Sequence, residues 1–91
     1  MKAYFINKDT ISKLCCSPSC VLLLEKGKLI FTDYLSSRHV VVEGKQYYLT
    51  MLYQMLSNSS VDKQSLIRLL SMANGNGMKL VDELVEKGLV Y

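Results

Sequence analysis

Apolar residues fall in two different patterns along the chain. Through residue 48 they come in short runs separated by turn-forming residues. From residue 49 they recur every three or four positions. Short runs rich in β-branched and aromatic residues predict strands. The expected strands cover residues 3–6, 20–24, 29–34 and 39–43. Between the second and third, Glu25-Lys26-Gly27-Lys28 predicts a hairpin turn in which Gly27 supplies a positive φ. Residues 35–37 predict a loop. Gly44 and Lys45 close the fourth strand, and Gln46, Tyr47 and Tyr48 are expected to extend it. Val21 to Leu24 are apolar on both faces of their strand, which calls for cover on both sides of the sheet.

Leu49, Leu52, Tyr53 and Leu56 share one face of a helix. Asn58, Ser59 and Ser60 end it, and Ser60 or Asp62 is placed to cap the next helix. That second helix is expected to run to about Ala73, with Leu66, Ile67, Leu69, Leu70 and Ala73 on its apolar side. Asn74-Gly75-Asn76-Gly77 breaks it. The last helix is predicted to start from an Asn76 cap, to bury Leu80, Val81, Leu84 and Val85, and to stop at Gly88. The sequence therefore predicts an α+β fold, with a small antiparallel sheet of three to four strands followed by three helices. The last two helices form a winged-helix-like helix-turn-helix unit. With Tyr91 as the last residue, no C-terminal wing is expected. Residues 1–91 are read as one domain, with 1–48 mainly sheet and 49–91 helical.

Composition bounds the function. Apolar residues make up 49% of the 91, a globular value. The longest apolar run, residues 20–24, is far short of the ~20 residues that span a bilayer. The N-terminus turns polar too early for a signal peptide, so a soluble, cytoplasmic protein with no membrane partner is expected. The net charge of +3 is unevenly placed. Residues 1–50 carry seven Lys and Arg against four Asp and Glu, and residues 51–91 carry four against four.

Candidate chemistry is sparse. Cys15, Cys16 and Cys20 lie in "CCSPSC", and His39 is the only histidine. Structural zinc sites commonly pair two such motifs, and no second cysteine pair exists here. Cys20 is read as a small apolar residue opening a strand, with Ser17, Pro18 and Ser19 as a turn, and no metal or other cofactor is expected. His39 has no nucleophile beside it in sequence, and no catalytic residue is expected. "NGNGMK" lacks the spacing of a phosphate loop and follows a helix. Tyr47, Tyr48 and Tyr53 are read as closing the core, and Met51 and Met55 as flanking it or as an adaptable surface for an enzyme partner.

The stretch "GKQYYLTMLYQMLSNSSVDKQSLIRLLSMANGNGMKLVDELVEKGLVY" resembles the helical part of PqqD-like proteins, the RiPP recognition elements. Leu80, Leu84, Gly88 and Leu89 match the family's closing "L…L…GL" phrase, and "VLLLEKGKLIF" resembles its sheet. The resemblance covers roughly residues 20–91, while segment 1–19 has no counterpart in it. It implies a non-catalytic protein that binds the leader of a ribosomal precursor peptide and presents it to a peptide-modifying enzyme. The leader would dock as an added strand between the third sheet strand and the third helix. That would place Val40, Val41, Val42 and Glu43 at the edge, and Lys79, Leu80, Glu83 and Lys87 on the helix. Arg38 and Lys45 would pair with leader carboxylates.

Two other readings fit the same elements. A helix-turn-helix can read DNA from its second helix. Here that helix carries Asp82, Glu83 and Glu86 among its outward residues, which oppose phosphate. The same strand edge also suits a general protein-interaction module, including a homodimer.

Overall fold

The computed structural model describes residues 13–91, so the strand expected at 3–6 lies outside the described residues. The described chain opens with a two-residue strand, β1 (Lys13–Leu14). Three longer strands follow: β2 (Cys20–Glu25), β3 (Lys28–Asp33) and β4 (His39–Glu43). They form an antiparallel sheet in the order β2-β3-β4, with β3 in the centre. Gly27 turns the first hairpin at φ 75°, as the sequence predicts. Its N–H donates to Gln46 Oε1 at 2.6 Å.

Helix α1 (Gln46–Asn58) comes next, then a second two-residue strand, β5 (Val61–Asp62), which pairs with β1. Helices α2 (Lys63–Asn74) and α3 (Gly77–Glu86) complete the fold. The architecture is α+β, as expected. Three boundaries differ from the sequence reading. Gln46, Tyr47 and Tyr48 form the first turn of α1 and do not extend β4. Gly44 and Lys45 force this change. A side-chain carbon on Gly44 would overlap the Ala73 carbonyl, and the Lys45 N–H donates to that same oxygen at 3.1 Å. The chain is thus pinned against the end of α2 and leaves the sheet. Second, Asp62 caps α2 by accepting from the Ser65 N–H at 3.1 Å, but Asn76 does not cap α3. The Gly77 N–H donates instead to Ser71 Oγ of the preceding helix, and Asn76 Nδ2 donates to Asn74 Oδ1. Third, Gly88 takes the left-handed conformation after α3, and the chain continues in pairing. Val90 bridges Cys16, while Cys15 and Tyr91 exchange both backbone hydrogen bonds at 3.0 Å.

Side-chain alternation in the strands divides the sheet into two faces. Leu29, Phe31, Val40 and Val42 point inward and are buried, with Leu22 and Leu24 packed against them. They meet Leu49, Leu52 and Leu56 of α1, Leu66, Leu70 and Ala73 of α2, and Val81 and Leu84 of α3 in one cluster. Leu89 and Val90 also lie fully within it. Two apolar positions expected to be buried on α3 are less so. Val85 is exposed and Leu80 is only partly buried. The fully buried stripe of α3 is thus Val81 and Leu84, with Leu80 packed at its margin.

The opposite face of the sheet carries Val21, Leu23, Ile30 and Val41. Val21, Leu23 and Val41 are more than 40% exposed. The two-sided cover expected for β2 is therefore present on one side only, among the described residues.

Candidate functional site: the free edge of β4

Among the described residues, the sheet order leaves β4 with one unpaired side. Antiparallel ladders alternate, so successive residues turn their backbone groups toward and away from the neighbouring strand. The phase is fixed by the bonds at either end of β4. The Asp33 N–H donates to the Arg38 carbonyl at 2.8 Å, and the Gly44 N–H donates to the Gly27 carbonyl at 3.2 Å. Even-numbered residues therefore face β3. His39, Val41 and Glu43 present their N–H and C=O groups outward.

Two side chains from the helices reach this edge. Lys87 Nζ, just after α3, donates to the His39 carbonyl at 3.4 Å, and Asn74 Nδ2 at the end of α2 donates to the Glu43 carbonyl at 2.5 Å. They occupy the two ends of the outward row and leave Val41 between them. Lys87 also pairs with Glu83 at 3.2 Å. The ion pair spans one helical turn and is exposed, so it orients Lys87 more than it stabilises the fold.

The residues implied by the family resemblance sort into distinct groups. Val41 and Glu43 lie on the edge with exposed side chains. Val40 and Val42 belong to the same strand, but their side chains are buried and their backbone groups face β3. Glu83 and Lys87 flank the edge from α3, which packs against β4. Lys79 is exposed on the same helix, and Leu80 is partly buried against the core. Arg38 and Lys45 are exposed just beyond the two ends of the strand. The Arg38 end is held by Asp33, whose carboxylate accepts from the Leu35 N–H at 3.0 Å and from the Ser36 hydroxyl at 2.8 Å. Hydroxyls of Ser19 and Ser36 hold the Asp33 carboxyl below its usual range. Sequence reasoning missed His39 and Asn74. Val40, Val41 and Val42 are all apolar, so His39 emerges only once the register fixes which parity faces outward. Nothing local in the sequence marks Asn74, which meets β4 only through the packing of α2.

The other features singled out in the sequence lie elsewhere. Tyr47 is 69% exposed and closes no core. Its ring stands edge-on to that of Tyr48, with centroids 5.2 Å apart. Tyr48, Tyr53 and Met55 do pack against the core. Cys15, Cys16 and Cys20 line an open pocket of about 500 Å³ beside Leu22 of β2 and Leu56 of α1. This lies at the sheet edge opposite β4. Among the described residues, no group of three His, Cys, Asp or Glu is placed to hold a metal ion. No helix among them is long and apolar enough to cross a membrane.

Burial and the neighbouring Cys20 push the Cys16 thiol up to about 12 from 9.0. A raised folded-state value means that the unfolded chain loses this proton first. The resulting stability is complete below pH 9 and is lost between about 9 and 12. Thermal melts should therefore fall as pH rises above 9, and Cys16→Ala should make that fall shallower. An unchanged slope in the variant would place the alkaline sensitivity elsewhere.

No family model, curated protein or solved structure matches the chain.

Proposed function

We propose that this protein binds an extended peptide as an added strand on the free edge of β4 and performs no chemistry itself. The observation that carries this reading is the outward backbone row of His39, Val41 and Glu43, with α3 alongside it. Such a row offers an extended peptide main-chain hydrogen bonds, and the neighbouring helix supplies side-chain contacts. Arg38 and Lys45 beyond the ends of the strand, with Lys79 on the helix, suit carboxylates on the ligand. The resemblance to RiPP recognition elements supports a particular ligand, the leader of a precursor peptide, and a modifying enzyme as the second partner.

The charge of α3 weighs against DNA as the ligand. Asp82 and Glu86 are exposed on it, and Lys87 is already engaged by Glu83 and the His39 carbonyl. A helix so charged does not suit a phosphate backbone.

Fluorescence anisotropy with the precursor-like peptide encoded nearest to this chain tests the reading. Binding is expected below ~100 µM, equivalent to about −5.5 kcal/mol. The leader assignment fails if no neighbouring small peptide reaches that affinity.

A further inference from the structure

The side chains on the open face of the sheet specify what the added strand should carry. Strand register aligns them in rows that cross all three strands. Leu23, Ile30 and Val41 form one apolar row. Glu25, Lys28 and Glu43 form the next, with charge alternating from strand to strand. Both rows end at the free edge. Every pairing within this sheet is antiparallel, and purely antiparallel sheets are favoured over mixed ones.

We propose that the bound peptide runs antiparallel to β4 and carries a Lys or Arg two residues before an aliphatic residue. This rests on the docking reading above and adds the ligand's side-chain chemistry. In that orientation the peptide residue opposite Glu43 comes first, and the residue opposite Val41 follows two positions later. Both side chains project onto the open face, because residues two apart on a strand share a face. The aliphatic residue extends the Leu23–Ile30–Val41 row and covers part of its exposed surface. The basic residue continues the alternation from Glu25 through Lys28 to Glu43. Opposite charges directly across a ladder attract and like charges repel, so an acidic residue there would face Glu43 unfavourably. Lys45 does not reverse this preference. It lies past Gly44 and outside the paired strand, with its backbone tied to Ala73.

Selection of a randomised displayed peptide library against the full chain tests the rule. Selected peptides should share a basic residue two positions before an aliphatic one. In synthetic versions, replacing the basic residue with Glu should weaken binding roughly fivefold to tenfold. Glu43→Lys should reverse the preference, and Glu43→Gln should flatten it. Both substitutions are at an exposed side chain, and a thermal melt checks that each variant is folded. Peptides that lose affinity with Val41→Pro but show no charge preference, in the parent or in Glu43→Lys, would overturn the specificity rule and leave edge docking standing. Peptides that bind Val41→Pro as tightly as the parent would overturn edge docking, and this rule with it.

Discussion

Phe31→Ala should lower stability in urea denaturation by about 3–5 kcal/mol. Phe31 sits on the central strand, in register with Leu22 and Val40, and has no exposed surface. Its ring lies on the sheet face that all three helices cover. No other fully buried side chain is larger, so truncation leaves the largest cavity. A chain of this size is stabilised by roughly 5–15 kcal/mol in total, so the loss would bring it close to unfolding. Val41→Ala, one strand away on the open face, should change stability by no more than ~0.5 kcal/mol. Equal losses at the two positions would mean that the open face is covered.

Val41→Pro should abolish peptide binding, or weaken it by at least about tenfold, in a chain that remains folded. The proline removes the central outward N–H of the β4 edge, and its ring occupies the space an added strand would take. The bonds between β3 and β4 come from the even-numbered residues, so the sheet keeps its ladder. Isothermal titration of the variant measures the loss, and a thermal melt confirms folding. A peptide methylated at the backbone nitrogen paired with Val41 should fail in the same way against the unaltered chain. Unchanged affinity in both experiments would move the binding site off β4.

Much of this arrangement is legible in the sequence because it follows from local rules. Short β-branched and aromatic runs on either side of the Gly27 turn predict the β2-β3 hairpin. The spacing of Leu49, Leu52 and Leu56 predicts the buried face of α1, and of the two cap candidates, Ser60 and Asp62, the structure uses Asp62. What escapes local rules depends on contacts distant in sequence. Gln46, Tyr47 and Tyr48 look like strand residues, but the approach of Gly44 to Ala73 turns the chain into a helix there. Asn76 has a cap residue's chemistry, yet Ser71 satisfies the Gly77 N–H from across the α2–α3 turn. The pairing of β1 with β5, and of Cys16 with Val90, joins segments too short to show any period. For the candidate site, the sequence indicates the strand and the helix. Only the register shows that the outward row is His39, Val41 and Glu43, and that Val40 and Val42 are core residues.

Amide hydrogen exchange, measured residue by residue with and without bound peptide, tests strand addition to β4 most directly. Main-chain pairing should slow exchange at Val41 and its edge neighbours His39 and Glu43, and leave the buried ladder amides of Val40 and Val42 as they were. Slowed exchange at Leu22 and Leu24, on the outer edge of β2, with Val41 unchanged would contradict it.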